Sequence, residues 1–314
     1  MQEFNFEEID KQLVVTDAEG RVVVQISLLC TFYFDGADSP KVREAVASCF
    51  EEYIAVCGTH LRWVKHPKNL RMYKADDPKV PSPRDWLRQL AEGEEWEFMY
   101  HGGRDADEAS SFQVSALGSP DAEGDLSYFQ ASLPVNWYAK NAGSFTDLSL
   151  KFCELLTPVS GYGGLGIVQS PNGILEAEYE PQVYALAQRF PGLEVDYPFS
   201  HVLHLREGIK GVNWLTFLGG GWLAELGGLE HLREQAGEDF TFYEVGGGVL
   251  IRAGQRPQMG DRERGSVPRH YARLSNILRP VRVAELGSLH HAGPDRFDDE
   301  STAQWLARFD EAGG

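Results

Sequence analysis

Between Val22 and Phe34 hydrophobic and polar side chains alternate. Val22, Val24, Ile26, Leu28, Cys30, Phe32 and Phe34 form one apolar row, and Gln25, Ser27, Thr31 and Tyr33 fall in the other. Successive side chains of an extended chain point to opposite faces, so this run predicts a strand buried on one face and partly covered on the other. Residues 13–16 read as a short partner strand joined through the turn Asp17-Ala18-Glu19-Gly20. The period then changes. Val42, Ala45, Val46, Cys49, Phe50, Tyr53, Ile54 and Cys57 recur at three- and four-residue steps, which predicts a helix lying on that sheet. Ser39 is expected to cap its first turn, Pro40 to take the first helical position, and Gly58 to end it in the left-handed conformation.

Further along, residues 76–84 carry three prolines and read as a surface loop. Strand-like runs at 96–100, 112–117 and 126–133 alternate with Gly-, Asp- and Glu-bearing turns at 102–111 and 118–125, the pattern of an antiparallel meander. A helix over 145–156 stops at Pro158, a glycine-rich strand covers 161–168, and a helix opens at Pro181 and ends at Pro191-Gly192. Residues 201–205 and 212–218 read as extended, and 222–235 as helical with a break at Gly227-Gly228. Residues 240–244 and 249–252 read as a hairpin about Gly246-Gly247-Gly248, and 268–278 as a helix. Ser301 to Gln304 has capping-box spacing ahead of Trp305, Leu306 and Phe309. Strands and helices mix without strict βαβ alternation, so the expected class is α+β, with antiparallel sheets covered by helices. Residues 1–314 read as a single module, with 134–143 the place for any division into two lobes.

Charge narrows the choice of partners. With 29 Lys and Arg against 47 Asp and Glu the net charge is −18. Such a field repels nucleic acid and anionic membranes and attracts basic partners. Cys30, Cys49, Cys57 and Cys153 show no CxxC spacing and read as reduced core thiols, which suits the cytoplasm. The first ten residues are acidic and lack an apolar stretch, so no signal peptide is expected, and no run is long and apolar enough to span a bilayer.

The search for chemistry ends without a catalytic, cofactor or metal assignment. Gly161-Tyr162-Gly163-Gly164-Leu165-Gly166 matches GxGxxG. However, a helix precedes it, and Pro171 and Gly173 follow where a pyrophosphate-binding helix would begin. The reading is instead a glycine strand approached closely by another backbone. His201 and His204 would face opposite sides of a strand, which makes one shared metal improbable, and His290-His291 has the same difficulty. Cys153 sits within a helix beside Phe152 and Leu155, where a thiol is inert, and no GxSxG is present. Acidic residues are the remaining candidates for recognition. Glu92, Glu94, Glu95, Glu97, Asp105, Asp107 and Glu108 would suit the Lys- and Arg-rich groove of a nuclease, although such runs also occur simply as solvated surface.

The stretch from Phe190 through Asp196, on through His204 to Lys210 and Val212 to Thr216, taken with Gly161 to Gly166, resembles a bacterial family of type VI secretion immunity proteins. That family was first described as a domain of unknown function and is paired with VRR-NUC and related restriction-endonuclease-like effectors. The resemblance implies a cytoplasmic antitoxin that binds a cognate nuclease toxin and blocks its active site or its assembly. It supplies no catalytic residue, and a homodimer is compatible with it. A hydrolase-type enzyme with an unrecognised site, or a self-associating scaffold, are the alternatives.

Overall fold

The thirteen-residue alternating run pairs along both of its edges. The computed structural model describes residues 9, 13–120, 124–141 and 143–310. The reading of the amino terminus and part of the acidic turn at 118–125 therefore lie outside the described residues. In chain order the strands are β1 (Val15–Thr16), β2 (Val22–Phe34), β3 (Trp63–Lys65), β4 (Met72–Lys74), β5 (Trp96–His101), β6 (Gln113–Gly118), β7 (Ser127–Pro134), β8 (Ser160–Gln169), β9 (Glu194–Val195), β10 (Leu215–Gly219), β11 (Phe240–Val245) and β12 (Gly248–Ala253). They build one sheet in the order β11-β12-β10-β8-β2-β7-β6-β5-β3-β4, with β1 on β2 and β9 on β8. Every pairing is antiparallel except β8 with β9. The sheet draws on both sides of residues 134–143, because β7 and β8 each pair with β2. The fold is α+β, as the mixed pattern predicts.

Register decides which side chains share a face. Leu28 stands opposite Leu133 and Leu165, and Phe32 opposite Phe129. This apolar face receives the helices Pro40–Cys57 and Ser144–Leu156. Phe129 is the hinge of the packing, its ring centroid 5.5 Å from Phe50 and 4.8 Å from Phe152. Phe50 also lies 5.7 Å from Phe98, and Phe152 6.5 Å from Phe32. Each fully buried ring of this kind contributes about 1.5–3 kcal/mol of transfer free energy, which explains why the strongest sequence signals lie in this half of the core.

Several local expectations are corrected. Ser39 makes no side-chain cap, and Gly58 is right-handed (φ −56°), passing the helix into a 3₁₀ turn at Gly58–His60. The loop at 76–84 ends in a helix, Pro83–Gln89, whose cap Ser82 accepts from the Asp85 amide. β3 and β4, three residues each, are too short to show a period. Residues 201–205 are not extended. Pro198–His201 is a helical turn, and a further short helix, Gly173–Glu178, precedes Glu180–Arg189. The last helix, Asp299–Leu306, does have a capping box, one turn earlier than its spacing suggests, with Asp298 as cap and Ser301 as its reciprocal partner.

The glycines of β8 are spacers. A Cβ on Gly164 would stand 2.0 Å from Asn213 Oδ1, and one on Gly166 2.1 Å from Leu29 Cδ2. At these two glycines the close neighbours are side chains, of Asn213 and of Leu29, rather than the backbone that the sequence led us to expect.

Candidate partner-binding site

The second face of the sheet carries Ser27, Leu29, Thr31 and Tyr33 from β2, and it divides into two unlike halves. Beside β8 the chain returns as β9, followed by the turn Pro198–His201, and a buried polar seam forms there. Asp196 accepts hydrogen bonds from the Thr31 hydroxyl, from the Tyr162 hydroxyl at 2.5 Å and from Gln130 Nε2 at 2.8 Å. Lys210 Nζ lies 2.8 Å from Glu194 and 3.5 Å from Asp196, and donates to the Val195 carbonyl at 2.5 Å. Arg308 stands 3.7 Å from Glu194 and donates to the Pro191 carbonyl. Two carboxylates and two cations thus neutralise one another out of contact with water. Burial pushes Asp196 up, but the Lys210 charge and the bonds from His201 and Thr31 overcome it and hold the carboxyl well below its usual range. Burial, reinforced by Lys210, pulls His201 down to about 3, so its ring is neutral.

Asp, His, Lys and Tyr side by side could be mistaken for a catalytic set. Their hydrogen bonds run to one another and to the backbone, and the His201 and Asp196 side chains are each 1% exposed. His201 and His204 share a helical turn rather than alternating on a strand, and the His201 ring turns inward on Tyr33. His290 accepts from the Phe297 amide, while His291 pairs with Glu180 at 2.7 Å. Among the described residues no group of three His, Cys, Asp or Glu side chains could hold a metal ion. All four cysteines are free and buried, and burial pushes the Cys153 thiol well above its ordinary value.

Over β7, β6, β5 and β3 the same face is the floor of an open groove of about 310 Å³. Alternate residues of the meander supply the floor: Gln130 and Ser132, Gln113 and Ser115, Glu97 and Met99, and Lys65. The Lys65 ammonium binds both oxygens of Glu97, at 2.7 and 2.9 Å. One wall comes from residues 167–171 and from Glu176, and Asp196, Tyr197, Pro198 and Phe199 close the side nearest the seam. Phe199 is 63% exposed, and Leu203, one helical turn on, is 58% exposed.

The seven acidic candidates do not gather in one patch. Glu92, Glu94 and Glu95 are exposed in the turn before β5, and Glu94 accepts from the Ala91 amide. Glu97 lies in the groove floor, tied to Lys65. Asp105, Asp107 and Glu108 follow the other end of β5, about 20 Å away for a six-residue strand. Glu108 is 4% exposed and holds Arg104 at 2.6 Å and the Val22 amide, so it fastens the loop to β2. The residues that the sequence left unmarked are Lys65, Glu176 and Phe199. Glu176 and Phe199 sit on helical turns too short for periodicity to reveal, and Lys65 on a three-residue strand.

Over residues 45–309 the sequence matches TsiV, the family described as Type VI immunity for VRR-NUC. The chain belongs to the TsiV family. A solved structure, the Pseudomonas aeruginosa T6SS protein PA0821, is similar over 96% of this chain and 90% of that one, with a TM-score of 0.88 and 28% identity. Among curated proteins no match was found. A TsiV protein is an immunity protein that neutralises a nuclease effector of the type VI system. The residues that carried the resemblance are the seam and the strands it fastens: Gly161 to Gly166 in β8, Glu194 and Asp196, Lys210, Asn213 and Thr216.

Proposed function

We propose that this immunity protein acts as a stoichiometric inhibitor in the cytoplasm, covering its effector's nuclease active site with the open half of the sheet's second face. The observation that carries the reading is the asymmetry of that face. One half is sealed by a charge-balanced seam, while the other is a polar-floored groove edged by the exposed Phe199. A nuclease active site must hold phosphates and therefore presents cations, and a protein of net charge −18 is drawn to it over a long range. The groove by itself is smaller than a stable interface, which needs roughly 1,000 Å² or more. The acidic turns at the two ends of β5, with Glu92, Glu94 and Glu95 on one side and Asp105 and Asp107 on the other, extend it. In this arrangement they steer the approach, while Phe199 supplies an aromatic anchor. Among the described residues no helix is long and apolar enough to cross a membrane, in keeping with this role.

The test is competition. The purified VRR-NUC domain should cleave DNA alone and lose cleavage on addition of one equivalent of this protein, and preloaded DNA should slow association of the inhibitor. A complex that forms equally fast on DNA-bound nuclease would contradict masking of the active site and favour interference with assembly.

A further inference from the structure

We propose that the Glu176 carboxylate, projecting into the groove from the helix Gly173–Glu178, is the receptor for a single arginine side chain of the nuclease. The proposal rests on the masking reading above. The other carboxylates in the groove and behind it, Glu97, Asp196, Glu194 and Glu180, each have a cation close by. Glu97 has Lys65 at 2.7 Å, Asp196 and Glu194 share Lys210, and Glu180 has Arg296 at 2.8 Å and His291 at 2.7 Å. Glu176 has none within 4.0 Å among the described residues, and its hydrogen-bond partner is the Tyr197 hydroxyl at 3.5 Å.

A second observation concerns the other acceptors in the groove. The side-chain carbonyl oxygens of Gln113 and Gln169, both lining it, are buried and have no hydrogen-bond partner. Buried acceptors are nearly always satisfied by protein or water, so two of them in the groove that also holds an unpaired carboxylate suit an entering group made of donors. A guanidinium fits this description. It offers five N–H donors in a plane, bonds a carboxylate through two of them, and accepts nothing. An ammonium would satisfy Glu176 but reach fewer of the remaining acceptors. A volume of about 310 Å³ admits an arginine side chain. The free protein tolerates the unpaired acid because burial, together with the neighbouring Glu180, raises its pKa to about 7, so that a large share is protonated before the partner arrives. An entering cation would then draw the group to its ionised form.

The experiment measures the Kd of the full chain for the VRR-NUC domain by calorimetry, for wild type, Glu176→Gln and Glu176→Lys, with the melting temperature of each. Glu176→Gln should weaken binding by about 30-fold or more, the range for removing one partner of a buried charged pair. Its melting temperature should hold or rise, because a neutral side chain suits the empty groove. Glu176→Lys should abolish measurable binding. In an alanine scan of the nuclease's arginines, one variant should bind wild type and Glu176→Gln equally, the signature of a coupled pair. If the wild-type complex forms but both Glu176 variants bind within twofold of it, the arginine receptor is refuted and masking stands. If the wild-type protein does not bind the nuclease at all, the masking reading itself fails, and this one with it.

Discussion

Two halves of one sheet face, built from adjacent strands, have opposite characters. Above β2 and β8 the seam brings Glu194, Asp196, Lys210 and Arg308 together with no charge left over. Above β7, β6 and β5 the groove has the same types of side chain, but Glu176 lacks a cation and Gln113 lacks a donor. The seam shows how this chain balances charges when it covers them itself, and the groove leaves Glu176 without that balance. Recognition of the partner is proposed for the second half, and the family match over residues 45–309 spans both.

The sharpest way to break the comparison is to disturb the seam. Lys210→Met removes a cation that is 2% exposed and leaves Glu194 and Asp196 with Arg308 alone. Breaking a buried pair in this way costs about 3–5 kcal/mol, to be read as a lowered midpoint in urea denaturation. Binding to the nuclease, measured per folded molecule, should stay within a few-fold of wild type. A loss of affinity matching a Glu176 variant would mean that the seam and the groove are one site.

Acid should set the buried histidines against Glu176 by sign. His201, His101 and His290 are all buried, and burial lowers them from 6.5 to about 3, 4 and 4 respectively. Each is neutral when folded but takes up a proton in the unfolded chain, so the stability they carry is complete above pH 6.5 and is lost as pH falls toward 4. Glu176 works the other way. With its pKa raised from 4.5 to about 7, the folded state holds the extra proton, and stability rises as pH falls across that interval. Three groups against one leave a net slope of about 2–3 kcal/mol per pH unit near pH 5, at about 1.4 kcal/mol per unit and proton. Urea midpoints between pH 7 and 4.5 check this, and Glu176→Gln should steepen the loss by removing the opposing group.

The same division governs what could be read from sequence. Alternation in β2 and helical spacing over Pro40–Cys57 identified the apolar face correctly, because burying large side chains on one side of a regular element leaves a period. The meander was legible for the same reason, and Gln113, Ser115, Gln130 and Ser132 already stood out of phase with the core residues of their strands. The groove wall was not legible. Its Glu176 and Phe199 lie on helices of six and four residues, shorter than two turns, and their placement depends on contacts with segments distant in sequence. Acidic density pointed instead to 92–108, where the charge lies at both ends of β5 and Glu108 serves as a tether.

Phe199 offers a milder contrast, as an exposed side chain beside the groove. Phe199→Ala removes a ring that is 63% exposed, so the folded chain should lose no more than about 0.5 kcal/mol. If Phe199 anchors the nuclease, affinity should fall by about 2 kcal/mol, or roughly 30-fold, chiefly through faster dissociation seen by surface plasmon resonance. An unchanged dissociation rate would move the anchor elsewhere and leave the groove's apolar edge without a role in this complex.

The smallest effect belongs to the acidic turns. Glu92, Glu94 and Glu95 are exposed and hold no ion pair among the described residues, so changing all three to Gln leaves stability unaltered within a few tenths of a kcal/mol. Their contribution is to the field that draws a basic partner inward, which acts on encounter rather than on the docked complex. The triple variant should therefore associate several-fold more slowly at about 20 mM salt, dissociate at the wild-type rate, and become indistinguishable from wild type above about 0.5 M, where the Debye length shrinks to a few ångströms. Asp105→Asn with Asp107→Asn should give a second, separable decrement from the far end of β5, whereas Glu108→Gln should instead lower stability by freeing Arg104 and the Val22 amide. If both neutralised turns leave the association rate and its salt dependence untouched, the acidic ends of β5 are solvated surface, and the attraction must come from the groove alone.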